Sequence, residues 1–181
     1  MNIISTPLDG CVVIEPRVFA DERGYFFESF NAEAFVRATG QRLDFVQDNE
    51  SFSRYGTIRG LHAQRGEAAQ AKLVRVLFGS VLDVVVDARQ GSATFGQHVA
   101  VELSAKNKRQ LLVPRGCLHG FSVLSETATF FYKCDNYYDK SAEIGVSYKD
   151  PALGIDWRIP AGEEVVSEKD QQLPLFSGLF V

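Results

Sequence analysis

Between Lys72 and Tyr138 the chain alternates short apolar runs with turn residues. "KLVRVLF", then Gly79-Ser80, then "VLDVVVDAR" predict two strands joined by a tight hairpin. The theme continues in "QHVAVELS", "RQLLVP", "CLHGFSVLS" and "ATFFYKCDNYY", with Gly91-Ser92, Lys106-Asn107 and Pro114-Arg115-Gly116 as the separators. Many short strands in series predict an all-β sandwich or barrel. One short helix interrupts them over about Asn31 to Thr39: Asn31 can cap it, Ala32, Glu33 and Ala34 favour it, and Gly40 can end it. After "DPALGIDW" the strand signals thin out, and this part is expected to wrap the barrel with turns and a short helix. No repeat or low-complexity tract divides the chain.

At 181 residues the chain can build one sizeable core, so a single domain over residues 1–181 is expected. Its content of 45% hydrophobic and 23% charged residues is that of a soluble protein. No apolar run approaches the roughly 20 residues of a membrane helix, so no membrane partner is expected. The opening "MNIISTPLDG" has neither a basic stretch nor a long apolar one, so a cytoplasmic location is expected. Cys11, Cys117 and Cys134 are odd in number and scattered, which fits neither a disulfide framework nor paired zinc ligands. A net charge of -4 argues against binding polymeric nucleic acid, though it leaves room for a local basic pocket.

The three histidines carry the candidate chemistry. Strand alternation places His98 with Ala100 and Glu102, opposite the apolar Val99, Val101 and Leu103, and so faces it to solvent. His119, in "PRGCLHGF", reads equally as a functional imidazole or as a partly buried one bonded to backbone. Its Pro-x-Gly-x-x-His pattern resembles the second motif of the cupins, a resemblance that implies a jelly-roll β-barrel with the site in its mouth. The first cupin motif usually brings His-x-His and a nearby Glu, but here "LHAQ" puts Ala63 and Gln64 after His62. Two imidazoles and an amide make a poor ligand set for Zn, Fe or Mn. No metal and no other cofactor is expected, and His62 reads as a proton carrier.

A proton carrier needs an orienting partner, an opposing acid and a stabiliser for the charge it creates. Tyr132 in "FFYKC" could present a phenol from a barrel strand or simply pack in the core. Asp170 in "SEKD" could orient an imidazole, although spacing alone prefers a helix start of the Ser-x-x-Asp kind. Lys72 and Arg59 could be ordinary edge charges.

Taken together, "EPRVFADERGYFFESF", "FVQDNESFSRYGTIRGLHAQ", "AKLVRVLFGSVLDVVVDAR", "LSAKNKRQLLVPRGCLHGFSVLSE", "YKCDNYY", "DPALGIDW" and "SEKD" resemble, in this order, the dTDP-4-dehydrorhamnose 3,5-epimerase family. The resemblance implies epimerisation of a dTDP-linked 4-keto-6-deoxy-hexose at C3 and C5. It implies His62 as general base oriented by Asp170, Tyr132 as opposing acid, and Lys72 and His119 around the sugar carbonyl. Arg59 and Arg23 would hold the diphosphate end, Glu28, Gln47 and Asn49 would contact the nucleotide, and Tyr138 would stack on thymine. Glu143 and Lys169 match further ligand contacts, and the resemblance implies a homodimer whose N-terminal segments complete each other's nucleotide sites. Ala63, Ala71, Cys117 and Leu118 depart from the family pattern beside the motifs, leaving a C3-only epimerase or a 3,4-ketoisomerase as the alternative. A metal-dependent or purely binding cupin is the more distant one.

Overall fold

In the computed structural model, which describes residues 1–180, the chain runs through β1 (Asn2–Ser5), β2 (Val12–Glu15), β3 (Phe19–Asp21), β4 (Gly24–Phe26), α1 (Ala32–Thr39), β5 (Gln47–Arg54), β6 (Ile58–Gln64), β7 (Lys72–Phe78), β8 (Ser80–Asp87), β9 (His98–Ser104), β10 (Gln110–Val113), β11 (Cys117–Val123), β12 (Thr127–Cys134), β13 (Glu143–Gly145) and α2 (Glu168–Gln171). One antiparallel sheet has the order β1-β2-β10-β7-β12-β5 and the other β13-β6-β11-β8-β9, with β3 and β4 forming a separate hairpin. The two sheets face each other in the cupin-like all-β arrangement.

Side-chain alternation sorts each strand between three apolar clusters. Val74 and Val76 of β7, Val81 and Val85 of β8, Phe121 and Val123 of β11 and Ala128 and Phe130 of β12 fill the space between the sheets. Leu82, Val84 and Val86 point the other way and are covered by Tyr148, Leu153, Trp157 and Phe176 of the C-terminal segment, which wraps the sheet as expected. On the opposite outer face, Phe35 of α1 packs on Ile14, Leu73 and Leu112. Strand β8 is therefore buried on both sides, which is why its sequence reads as a continuous apolar run. Asp83 is the polar interruption on its inner face and is fully buried.

The hairpin expected at Gly79-Ser80 does not form. Strand β7 pairs with β10 and β12 in the first sheet, whereas β8 pairs with β9 and β11 in the second. The glycine is a corner between sheets, with φ of +77°, and a Cβ there would sit 2.1 Å from the Thr127 carbonyl oxygen. Two adjacent strands that each bury both faces have more apolar surface than one ribbon can cover, so they separate into opposing layers.

Helix α1 forms where its caps place it. Asn31 Oδ1 accepts from Ala34 N–H at 3.0 Å, and Gly40, at φ +71°, donates its N–H to the Val36 carbonyl at 2.8 Å. His98, at the start of β9, is half-buried and lies outside the cavities described below.

Candidate active site

Strand β6 departs from regular pairing at the point where it carries the candidate residues Arg59 and His62. His62 lies opposite His119 of β11, but Arg59 lies opposite Phe121, so three steps on β6 match two on β11. Strict alternation would send Arg59 and His62 to opposite faces. The bulge turns both towards the barrel interior, as bulges near binding sites often do. Gly60 makes the close approach, since a Cβ on it would lie 2.7 Å from both Gly120 Cα and the His119 carbonyl oxygen.

The C-terminal segment then crosses the barrel mouth beside β6. Ile58 N–H donates to the Val165 carbonyl at 3.0 Å and Val165 N–H to the Gly56 carbonyl at 2.9 Å, which lays the segment alongside the strand. Ser167 starts α2 by accepting from Asp170 N–H at 3.1 Å, so the expected helix cap is present. The Asp170 carboxylate is free for another role, and it bonds His62 Nε2 at 2.8 Å and accepts from Gly60 N–H at 3.3 Å. Burial pushes this carboxyl up, but the hydrogen bonds from His62 and from Gly60 N–H hold Asp170 below its ordinary value. An ionised carboxylate can only accept, so Nε2 must donate and the lone pair is left on Nδ1.

Strands β11 and β8 continue the sheet beside β6, and β7 and β12 form the opposite wall. His119 is not bonded to backbone, the plainer of its two sequence readings. Its Nε2 lies 3.0 Å from both carboxylate oxygens of Asp83. Burial raises the Asp83 carboxyl, countered by His119 and by the charge of Lys72. Lys72 makes no ion pair among the described residues, and its Nζ lies 5.8 Å from the centroid of the Tyr132 ring. Burial pushes the Lys72 ammonium down and the Tyr132 phenol up, so the phenol stays protonated at neutral pH. Phe130 stacks on Phe121 at 4.2 Å between centroids and supports both His119 and Tyr132 at 6.0 Å.

These groups line a cavity of about 790 Å³ that also includes Arg59, Asn49 and Lys169. A smaller cavity of about 300 Å³ shares His62, Lys72, Asn49 and Tyr132 with it and adds Gln47, Tyr138 and Glu143. Eleven of the thirteen residues singled out in the sequence thus converge on one composite site. Arg23 and Glu28 do not. Arg23 is paired with Asp21 at 2.6 Å and Glu28 accepts from Asn31 Nδ2 at 3.2 Å, on an N-terminal segment whose Phe19 and Phe26 are 50% and 70% exposed.

Around the rim, Glu143 accepts from Tyr138 Oη at 2.6 Å and from Lys169 Nζ. Burial raises the Glu143 carboxyl, yet those two hydrogen bonds prevail and keep it below its ordinary value. Arg59 donates to neutral groups only, Ser53 Oγ at 3.0 Å and the Phe52 carbonyl at 3.4 Å, so its charge remains available to an anion. Of the four departures from the family pattern, Ala63 lines the smaller cavity, whereas Ala71, Cys117 and Leu118 are buried and line neither.

Sequence reasoning missed Asp83, Ser53 and Cys134, which also lines the smaller cavity. A lone carboxylate inside "VLDVVV" was the available signal for Asp83, since an otherwise apolar strand tolerates a charge only with a partner. Among the described residues, no three His, Cys, Asp or Glu side chains are grouped closely enough to hold a metal ion, and no helix is long and apolar enough to cross a membrane.

The dTDP-4-dehydrorhamnose 3,5-epimerase family model matches residues 5–178. The dTDP-4-dehydrorhamnose 3,5-epimerase of Salmonella typhimurium is 51% identical over 175 residues, 97% of this chain and 95% of that protein. The crystal structure of dTDP-4-dehydrorhamnose 3,5-epimerase from Elizabethkingia anophelis superposes with a TM-score of 0.95 at 55% identity, covering 98% of this chain and 97% of the other. That of the Legionella pneumophila dTDP-6-deoxy-D-glucose-3,5-epimerase, in complex with dTDP-4-keto-L-rhamnose, does so with a TM-score of 0.92 at 50% identity, covering 97% and 93%. With the match spanning both sheets and the segment that carries Asp170, the chain belongs to the dTDP-4-dehydrorhamnose 3,5-epimerase family.

Proposed function

We propose that this protein epimerises dTDP-4-dehydro-6-deoxy-D-glucose at C3 and C5 to dTDP-4-dehydro-L-rhamnose, in dTDP-L-rhamnose biosynthesis, by proton transfer alone. The observation that carries the reading is the presence in one cavity of an oriented base, His62 on Asp170, and a protonated phenol, Tyr132. Inverting a carbon beside a ketone requires removal of a weakly acidic proton from one face and delivery of another to the opposite face.

In this reading His62 Nδ1 takes the proton from the carbon next to the ketone, and the C–H electron pair moves onto the carbonyl oxygen as an enolate. Lys72 stabilises that oxygen, and so does His119 with both ring nitrogens carrying protons, Nε2 towards Asp83 and Nδ1 towards the oxygen. Because its charge appears only as the proton leaves, their interaction is stronger in the transition state than in the ground state. Tyr132 donates its phenolic proton to the other face, and the imidazolium and phenolate re-equilibrate with solvent before the second carbon reacts. Asp170 holds the His62 ring and balances its transient charge, and Asp83 fixes the orientation of the His119 ring through Nε2. Arg59, whose hydrogen bonds leave it without a carboxylate, takes the diphosphate through charge-assisted bonds. Gln47, Asn49, Tyr138, Glu143 and Lys169 form the nucleotide end.

The protein acts in the cytoplasm as a homodimer. Arg23 and Glu28 complete the partner's nucleotide site, a reading supported by their distance from their own cavity and by the exposed Phe19 and Phe26 beside them. Proton NMR of the 4-keto-6-deoxy substrate in deuterated water, with chelator-treated protein, tests the chemistry. Loss of both the C3 and C5 proton signals is expected. Exchange at C3 alone would make this a monoepimerase, and exchange that begins only when metal is added would overturn the proton-carrier mechanism.

A further inference from the structure

We propose that Gln64 is a positioning residue for the nucleotide end of the site: its buried amide clamps the backbone of Asp139 and thereby holds Tyr138 against the smaller cavity. Gln64 ends strand β6, two residues beyond His62, and is 5% exposed. Its Nε2 donates to the Asp139 carbonyl at 3.0 Å while its Oε1 accepts from Asp139 N–H at 2.8 Å. One side-chain amide therefore satisfies both backbone groups of a single loop residue, as a neighbouring strand would. No other side-chain type of this length offers a donor and an acceptor on the same planar end.

Two more glutamines complete the hold. Gln70 Nε2 donates to the Asn136 carbonyl at 2.8 Å, and Gln47 Oε1 accepts from Tyr138 N–H at 3.2 Å. The segment between β12 and β13 is thus pinned through its backbone at Asn136, Tyr138 and Asp139 by side chains from three other places in the chain. Tyr138 itself is 53% exposed, so packing does little to fix it, and its hydroxyl contact to Glu143 restrains only the far end of the ring. The position at which a metal-binding cupin would place its second histidine has been given over to loop geometry.

This inference rests on the proposed function, in which Tyr138 meets the nucleotide. A ligand that must first order this loop loses affinity by the fraction of time the loop is out of place. Gln64→Ala is expected to raise the Kd for dTDP, measured by calorimetry, and the KM about tenfold. The kcat and its pH profile, which report on His62 and Tyr132, are expected to stay at wild-type values. In a Tyr138→Ala background, Gln64→Ala is expected to add little, because its effect runs through that ring. Gln70→Ala, which releases the same loop from its other end, is expected to weaken dTDP binding in the same direction and serves if Gln64→Ala does not fold. A fall in kcat at unchanged KM, full additivity with Tyr138→Ala, or unchanged dTDP affinity in both glutamine variants would overturn the inference while leaving the epimerase reading intact. A wild-type protein that neither binds dTDP nor exchanges substrate protons would remove both.

Discussion

Replacing Asp170 by Asn tests the His62 dyad with almost no change of shape. The asparagine oxygen can keep the bond from Gly60 N–H, now 3.3 Å, and its NH2 then faces His62 Nε2, now 2.8 Å from a carboxylate oxygen. An NH2 only donates, so Nε2 must become the acceptor and the ring proton moves to Nδ1, the nitrogen assigned to take the substrate proton. The variant also loses the charge that balances the imidazolium. For charge centres ~4 Å apart at an effective dielectric of about 20, that interaction approaches 4 kcal/mol, an upper bound that the amide dipole and surrounding polar groups reduce. A net loss of roughly 2 to 4 kcal/mol in the transition state corresponds to a kcat lower by about 30- to 1,000-fold. Because the imidazole is neutral before reaction, KM and dTDP affinity should change little. The assay is C3 and C5 proton exchange in deuterated water at saturating substrate, with dTDP calorimetry alongside. A kcat within about threefold of wild type, or a loss confined to KM, would refute the assignment of Asp170 as the orienting carboxylate.

Burial pushes the Lys72 ammonium below its ordinary value and the Tyr132 phenol above its own, so it brings the proton loss of Lys72 to lower pH and sends that of Tyr132 to higher pH. Lys72→Arg, whose guanidinium stays charged, should lower kcat but carry the alkaline limb of the kcat profile to higher pH; an unmoved limb would mean that another group sets it. Asp87 is fully buried, and although burial opposes its ionisation, bonds from Arg89, Ser92 and Thr94 hold its carboxyl well below the usual range. With the folded value depressed, its stabilisation is complete above the ordinary carboxylate range near pH 4 and is lost as pH falls through that range towards the folded value. Asp87→Asn should cost roughly 3 kcal/mol at pH 7 and show a flatter acid dependence of stability by urea unfolding; an identical pH slope would exclude Asp87 as its source. Gly60→Ala forces a Cβ to 2.7 Å from backbone atoms of β11 at a φ of +117°. It should lower thermal stability and cut exchange activity far more than the ~1–3 kcal/mol of backbone strain alone would suggest, because the bulge aims both Arg59 and His62; a variant as active as wild type would show that the bulge is dispensable.

Local signals were sufficient for some of this molecule. The helix over 32–39 needs only Asn31 and Gly40, whose capping bonds span three or four residues, so its limits could be read from the chain. The strands from Lys72 onward were visible because each carries its own apolar and β-branched run. His62, Lys72, His119, Tyr132 and Asp170 stood out once their surrounding motifs were taken together. Strand β5, by contrast, reads "QDNESFSR" and gave no apolar signal: it is an edge strand whose inward positions Gln47, Asn49, Ser51 and Ser53 face the open site cavities rather than a packed core. The chain's own pattern could not say which strands pair, because β7 and β8 are adjacent in sequence yet each finds more burial in a different sheet. Nor could it reveal that Asp83 lies against His119, 36 residues away, or that Asp170 reaches His62 across 108. Sequence alone determined the element types and the helix caps, since propensity, capping and alternation act over a few residues, and its motifs picked out most of the candidate site residues. Only the tertiary structure decided the sheet change at Gly79, the Gly60 bulge that turns Arg59 and His62 the same way, the two imidazole–carboxylate pairs and the glutamine clamp on the Tyr138 loop, since each is a contact between distant segments fixed by how two sheets close over a common core.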